Sequence, residues 1–312
     1  MVETLNRDVT TALQVRATEG LQSVLVPVDL TAISDRVVAR LSLLPIAEHG
    51  RVGLLHVVSE QLGVRDQHRA EREAYRFLDD EVRHLAGALP EHVRLRPMVE
   101  FGAPAKAIIA RANAMNAELI VMGRGGGRAL RDVFLGSTAE RVLRGSSRPV
   151  LVVRLPARKP YQHPALALDL DPPPDDVVAV LLCVLPLRHP SVSIIHAFDP
   201  YSGMMSVTLT DEEAEDRSDE LAHRARQDLA RLLATALVRA DIAPGDAPYW
   251  RYQVQAGSPR IVIEKAVRRA GTDLLALGTH GRKGITHLLL GSVAGDVLRE
   301  VACDVLVVPP TG

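Results

Sequence analysis

The stretch GRGGGRALRDVFLGS, from Gly123 to Ser137, returns as GTHGRKGITHLLLGS, from Gly278 to Ser292. Both read Gly-x2-Gly-x9-Gly-Ser, with anchors at Gly123, Gly126, Gly136 and Ser137 and again at Gly278, Gly281, Gly291 and Ser292, an offset of 155 throughout. The same offset relates Gly102 to Gly257 and Leu151-Val152-Val153 to Leu306-Val307-Val308. A register shared over that distance marks a duplicated domain. Each copy lies between an apolar strand-like run and a helix start, where glycines and backbone N–H groups can hold phosphates.

Upstream, the offset is 140. Val24-Leu25-Val26-Pro27-Val28 ends at Asp29 as Ala165-Leu166-Ala167-Leu168 ends at Asp169, and Asp35, Val37, Val38, Ala39 and Leu41 return as Asp175, Val177, Val178, Ala179 and Leu181. Gly53-Leu54-Leu55-His56-Val57 returns as Ser193-Ile194-Ile195-His196-Ala197. The second copy therefore carries 15 extra residues between His196 and Gly257, expected around Pro200-Tyr201-Ser202-Gly203-Met204-Met205, where a connection tolerates length. The remaining runs alternate. Residues 71–89 and 211–240 are charged and helix-periodic, and Arg94 to Val99 and Trp250 to Val254 read as third strands. Helices over 103–116 and 259–270 follow, each with proline near its start. Leu119-Ile120-Val121-Met122 and Leu274-Leu275-Ala276-Leu277 are short apolar strands of the kind buried on both faces. The order βαβαβαβαβ implies a parallel sheet with helices on both faces. The expected division is a polar extension over 1–20, one domain over 21–154, a linker over 155–164 rich in proline, and a second domain over 165–309.

Bulk properties narrow the function. A chain of 312 residues accommodates two domains of about 150 each. Aromatics make up 3%, too few for base-stacking platforms, and a net charge of -1 offers no global basic field, so nucleic acid is not expected as a partner. Cys183 and Cys303 form no CxxC pair and read as buried thiols in a reducing compartment. Residues 1–20 lack the apolar segment of a secretory signal, and the longest apolar run, Val177 to Leu185, is too short to span a bilayer. A cytoplasmic protein without membrane attachment is the expectation.

In a doubly wound sheet of order 2-1-3-4-5 or 3-2-1-4-5, ligands bind where the strand order reverses. In the second order that crevice lies between strands one and four. Strand one delivers Asp29 or Asp169 there, and strand four leads into Gly123 or Gly278. Glycines at 123 and 126 let the chain turn sharply and approach a phosphate. Gly136-Ser137 opens a helix whose free N–H groups suit an anion, and the serine hydroxyl can cap that helix or donate to a phosphate oxygen. Arg124, Arg128 and Arg131 flank the first loop, and His280, Arg282 and Lys283 the second. The aspartates can accept from an adenine amino group or a ribose hydroxyl, or can cap a turn. His56 and His196, inside apolar strands, read as satisfied core histidines.

On these residues the chain resembles a tandem universal stress protein of the branch whose domains bind ATP. G-x2-G-x9-G-[ST] is similar to that family's nucleotide motif, and Leu54-Leu55-His56-Val57 and Gly278-Thr279-His280-Gly281 read like its usual segments. The resemblance runs from about Val24 to Val153 and from about Ala165 to Val308. It implies two flavodoxin-like, Rossmann-like α/β domains, each a five-stranded parallel sheet of order 3-2-1-4-5, paired as an internal pseudo-dimer through Val150 to Val153 and Val305 to Val308. It implies ATP, ADP or AMP, with Mg2+ as an accompanying ion. In the first domain the implied site is Pro27, Asp29, Val57, Gly123, Arg124, Gly126, Gly136, Ser137 and Thr138. In the second it is Asp169, Ala197, Gly278, His280, Gly281, Gly291, Ser292 and Val293. Asp29 and Asp169 approach the adenine, Val57 and Ala197 offer backbone bonds to it, and the glycines and serines take the phosphates. In the family a small or hydroxyl residue often stands two positions after the strand-one aspartate; Thr31 fits and Asp171 does not.

No Walker P-loop, G-x-S-x-G elbow or H-E-x-x-H occurs, and nothing reads as a nucleophile, general base or metal cage. The expected function is a nucleotide-dependent regulatory or binding protein with at most slow ATP hydrolysis, acting on an unidentified protein partner and open to further homodimerisation. The competing reading is an interaction module that kept the fold and lost the ligand, presenting the acidic, proline-rich stretch after Asp169 and the loop from Pro200 to Val207.

Overall fold

A computed structural model describes residues 20–61, 63–125, 135–170, 175–186, 191–201, 210–279 and 290–310. The first half runs β1 (Leu21–Pro27), α1 (Ala32–Leu41), β2 (Ile46–Val58), α2 (Val64–Ala86), β3 (Arg94–Phe101), α3 (Pro104–Ala114), β4 (Leu119–Gly123), α4 (Ser137–Gly145) and β5 (Val150–Val153). The second half repeats it as β6 (Pro164–Ala167), α5 (Asp175–Val184), β7 (Val192–Phe198), α6 (Asp211–Arg239), β8 (Trp250–Ala256), α7 (Pro259–Ala270), β9 (Leu274–Gly278), α8 (Ser292–Glu300) and β10 (Asp304–Val308). All ten strands form one sheet of order β3-β2-β1-β4-β5-β10-β9-β6-β7-β8. Each half thus has the order 3-2-1-4-5, and within each the strands are parallel. The halves meet through β5 and β10, antiparallel, with Val152 opposite Val305 and Val150 opposite Val307. That pairing removes two apolar edges at once, since all four residues of β5 and all five of β10 are buried.

Alternation along the strands feeds two cores. Val24, Val26, Val121, Leu151 and Val153 pack on one face with α1, α2, α5 and α6. Leu25, Ile120, Met122, Val150 and Val152 pack on the other with α3, α4, α7 and α8. Both cores pass without interruption from one half to the other. Cys183 and Cys303 lie buried in them, and burial pushes each thiol up to about 12, so neither is a thiolate near neutral pH.

Three local expectations change. Strand two begins at Ile46 rather than Gly53, because Ile46, Arg51 and Val52 also pair with β1, across an irregularity between Leu21 and Ser23. The proline ending the expected linker, Pro164, is the first residue of β6. The additional length of the second half is not confined to the segment after Pro200. The helix α6 has 29 residues against 23 in α2, so part of the extra chain is helical. The apolar loop residues Met204, Met205 and Val207 lie outside the described residues. Among the described residues no helix is long and apolar enough to cross a membrane.

Acidic side chains tie the strand ends. Glu118, at the start of β4, accepts from the N–H of Gln22 at 2.7 Å, and Asp273, before β9, accepts from the N–H groups of Gln162 and His163 at 2.6 and 2.9 Å. The seam has a buried anchor in Asp304. Its Oδ1 accepts from the N–H groups of Arg154 and Leu155, at 2.7 and 2.8 Å, and its Oδ2 from the Tyr161 hydroxyl at 2.8 Å. Arg40, on α1 of the other half, places Nε 3.2 Å from Oδ2 as an ion pair and lays its guanidinium 3.9 Å over the Tyr161 ring. Burial raises the Asp304 carboxyl despite those donors, and raises the Tyr161 phenol well above its ordinary value. The connection between the halves is therefore bolted to both of them.

Candidate functional site

β1 is buried along its core and emerges at Asp29, an exposed residue. Leu30 follows with φ 59, in the left-handed region that side chains other than glycine seldom adopt, and the chain turns back on the aspartate. Asp29 Oδ1 accepts from the Thr31 N–H at 3.2 Å, the Thr31 hydroxyl at 2.7 Å and the Ser34 hydroxyl at 2.9 Å. The Asp29 N–H in turn donates to Ser34 Oγ at 3.0 Å. Ser34 is 2% exposed, so this brace is built on the buried face of the first turn of α1. All three donors converge on one carboxylate oxygen. Oδ2 has no hydrogen bond among the described residues.

Strand two adds His56, whose Nδ1 lies 2.9 Å from the Val28 carbonyl. A carbonyl only accepts, so Nδ1 carries a proton. His196 repeats this on the Leu168 carbonyl at 2.8 Å. The two histidines are structural in the sense the sequence suggested, and His56 additionally lines the cleft described below.

Across the switch point, β4 ends at Gly123 and runs into Gly125, at φ 68, a conformation that a glycine adopts without strain. The N–H of Gly136 donates to the Arg124 carbonyl at 2.7 Å, closing the intervening loop at its base. A Cβ on Gly136 would lie 3.0 Å from that carbonyl oxygen and from the Gly125 backbone. The third glycine of the motif is thus required by loop closure, whatever the loop holds. In the second half the Gly291 N–H donates to the Thr279 carbonyl at 2.9 Å, and a Cβ there would lie 2.7 Å from that oxygen.

The helix α4 starts directly after this closure. Its first turn begins with the Glu140 N–H donating to the Gly136 carbonyl at 3.0 Å, so the N–H groups of Ser137, Thr138 and Ala139 have no acceptor within the helix. Gly136 is the cap residue and no side chain caps this end, so the capping role expected of the Ser137 hydroxyl is not taken up. The same holds for Gly291 and α8.

These features line one cleft of about 370 Å³. Pro27, Asp29 and Ser34 line it from β1 and the start of α1, Gly123, Gly125, Gly136, Ser137 and Thr138 from the end of β4 and the start of α4, and Leu55, His56, Val57, Ile108 and Met122 from β2, α3 and β4. Seven of the residues expected from the sequence meet here: Pro27, Asp29, Val57, Gly123, Gly136, Ser137 and Thr138. Arg124 contributes its carbonyl to loop closure, and Gly126, Arg128 and Arg131 lie outside the described residues. In the second half Asp169 follows β6, Ala197 lies on β7, Gly278 ends β9, and Gly291, Ser292 and Val293 open α8. His280, Gly281, Arg282 and Lys283 lie outside the described residues. Sequence reasoning missed Ser34, which carries no motif; its signal was that position 174, its counterpart at the offset of 140, is a proline. Among the described residues no three His, Cys, Asp or Glu side chains could hold a metal ion.

A family model described as the universal stress protein family matches residues 20–154 and 161–309. A universal stress protein of Mycobacterium tuberculosis is 28% identical over 213 residues, which is 66% of this chain and 66% of that protein. The match therefore spans just under two thirds of the length of the mycobacterial relative. Universal stress protein A homolog 1 of Coxiella burnetii is 26% identical over 152 residues, covering 47% of this chain and 96% of its own. In three dimensions, a universal stress protein from Archaeoglobus fulgidus superimposes with a TM-score of 0.62 at 18% identity, over 93% of this chain and 99% of that one. A functionally unknown protein from Pseudomonas aeruginosa does so with a TM-score of 0.63 at 17% identity, over 95% of both chains. At those identities the structural likeness speaks to fold.

Proposed function

The chain belongs to the universal stress protein family, and from that premise we propose that it is a cytoplasmic stress-response protein whose first-half cleft binds an adenine nucleotide, ATP or ADP. The observation that carries this reading is the pairing, within one cleft, of a braced carboxylate and a bare helix N-terminus. The two features ask for opposite chemistry. Asp29 accepts hydrogen bonds and suits an amino or hydroxyl group, whereas the three free N–H groups of α4 and its positive dipole end suit phosphate oxygens. The apolar residues Leu55, Val57, Ile108 and Met122 that also line the cleft suit a heterocycle or a ribose. A Mg2+ ion would enter with the phosphates, which supply the hard oxygen ligands it prefers.

The Thr31 and Ser34 hydroxyls at the cleft donate to Asp29, and the reading is binding rather than turnover. A bound nucleotide acts by favouring one conformation of the paired halves, or one partner-binding state, by its differential affinity for it.

The test is ATP titration of the full chain by calorimetry, beside the Thr138→Asp variant. An acidic residue in the first turn of α4 complements the helix dipole, so stability is held or raised, while the added charge repels phosphate. Tight ATP binding by the parent and loss of at least about tenfold in the folded variant is the expected result. Equal affinity in both proteins would remove the phosphate assignment, and no binding by the parent would move the reading to a ligand-free interaction module.

A further inference from the structure

We propose that the second half positions the first-half cleft: Arg36 and Arg40 lock α1 onto the linker and Asp304, and that lock sets the first turn of α1, which braces Asp29. This rests on the adenine-nucleotide reading above and says what keeps that site in register. The helix α1 has ten residues. A helix that short is marginal by itself, so its place is set by what it packs on. One stripe, Ser34, Val37, Val38 and Leu41, is buried, and its first two members also line the cleft. A second stripe, Arg36 and Arg40, has the i, i+4 spacing that puts two side chains on one flank. Both reach the connection between the halves. Arg36 Nη1 donates to the Arg154 carbonyl at 3.1 Å, and an Nη of Arg40 donates to the Lys159 carbonyl at 3.1 Å. Arg40 Nε also lies 3.2 Å from Asp304 Oδ2. One short helix thus holds the cleft aspartate through Ser34 and the seam through two arginines.

The lock reaches the second half by two routes. One is the Asp304 carboxylate on β10, which also accepts from the Arg154 and Leu155 N–H groups. The other is the Arg154 guanidinium, which donates to the Leu298 and Val301 carbonyls at the C-terminal end of α8. Ser34 is 2% exposed, Arg40 3% and Asp304 0%, so neither end of α1 can shift without disturbing packed neighbours at the other. A movement that parts Arg40 from Asp304 leaves buried charge unpaired and carries the Ser34 hydroxyl away from Asp29. The pair is not a repeated element: position 180, which matches Arg40 at the offset of 140, is valine, and position 149, which matches Asp304 at 155, is proline. A ligand that uses a placed Asp29 and a lock that places it strengthen each other by one and the same factor.

The experiment reads that factor from both sides in the full chain. Calorimetric binding of ATP and of inosine triphosphate compares the parent with Arg40→Leu. Inosine triphosphate has a carbonyl where ATP has the adenine amino group, so it gains nothing from a placed acceptor at Asp29. Arg40→Leu is expected to weaken ATP about fivefold or more, and inosine triphosphate by less than about twofold. Equal weakening of both, the mark of a merely structural role, or no weakening of either overturns the proposal. Deuterium exchange at the Leu155, Gln162 and His163 amides, held by Asp304 and Asp273, gives the second readout and needs no change at the seam. Saturating ATP is expected to slow these amides about threefold or more in the parent. Ser34→Ala, without nucleotide, is expected to speed them while β8, at the far edge of the sheet, exchanges as before. Linker exchange that ignores both changes, or that quickens together with β8 in Ser34→Ala, overturns the lock. Failure of the folded parent to bind ATP overturns the adenine-nucleotide reading instead. The Ser34→Ala exchange then decides the lock alone: a faster linker upholds it and an unchanged one overturns it.

Discussion

The two halves repeat each other most closely at bonds made to backbone carbonyls, and least closely at two places where side chains meet one another. His56 on Val28 and His196 on Leu168 make the same bond at 2.9 and 2.8 Å. Gly136 on Arg124 and Gly291 on Thr279 make the same loop closure. The first difference is the exit of the first strand, where Thr31 and Ser34 brace Asp29 and the matching sequence positions read Asp171 and Pro174. The second is the seam, where Asp304 anchors the linker while the position 155 residues earlier is Pro149, which has no donor or acceptor side chain. The cleft described above lies in the first half, and the second half supplies the acid that fastens the halves together. A duplicated fold keeps its scaffold by geometry and is free to divide its chemistry, because function resides in a few placed side chains.

The sharpest way to break that division is at the seam. Asp304→Ala leaves Arg40, with a side chain 4% exposed, without its carboxylate, and strips the acceptor from the Arg154 and Leu155 N–H groups and the Tyr161 hydroxyl. Removing one partner of a buried pair costs about 3–5 kcal/mol, read by denaturant unfolding. A loss below about 1 kcal/mol would mean that the strand pair β5·β10 carries the seam without the acid. The next effect compares like with like. Gly136→Ala and Gly291→Ala both push a methyl at a carbonyl, from 3.0 and 2.7 Å, at ordinary negative φ values of -68 and -57. Overpacking of this kind costs about 1–3 kcal/mol, with the Gly291 variant the worse of the two. The reverse order would show that the two loop closures differ in ways the backbone repeat conceals.

Most of the scaffold was legible because the chain writes it twice. The offsets of 155 and 140 fixed the element order, and the apolar runs Val150 to Val153 and Val305 to Val308 needed a partner for physical reasons that the antiparallel pairing satisfies. Asp29 and the glycine loop were legible as converging features because strand order brings distant residues to one crevice. What stayed hidden were contacts that no period or spacing encodes. Ser34 is one buried hydroxyl among many until the turn at Leu30 folds it onto Asp29. Gly136 was read as opening a helix whose N–H groups suit an anion, whereas a Cβ there would lie 3.0 Å from the Arg124 carbonyl oxygen and the Gly125 backbone, which favours a glycine by itself. The seam acid was invisible for the same reason, since Asp304 acquires meaning only when residues 154, 155 and 161 arrive beside it.

The smallest expected effect sharpens the comparison at the long helices α2 and α6. α2 starts after Gly63, which offers no side-chain cap, whereas α6 starts with a capping box: Glu213 N–H donates to Thr210 Oγ1 at 3.3 Å, and the Thr210 N–H donates to Glu213 Oε2 at 2.9 Å. The Thr210 N–H first, and its hydroxyl second, hold the Glu213 carboxyl below its ordinary value. A carboxyl depressed in the folded state contributes stability that is present above its unfolded pKa and is lost as the pH falls through the folded one. Thr210→Ala should therefore cost about 1 kcal/mol at neutral pH. The gap between parent and variant should narrow as the pH falls through the depressed titration of Glu213, below the ordinary glutamate range. Gly63→Ala, with no acid in a reciprocal bond, should show a small difference that does not change over that range. Parallel unfolding curves at pH 7 and pH 3 for the four chains, parent included with the double variant, decide it. A Thr210 gap that is constant with pH would make the cap a matter of the hydroxyl alone, and the two helix starts would then differ by one hydrogen bond rather than by a charged pair.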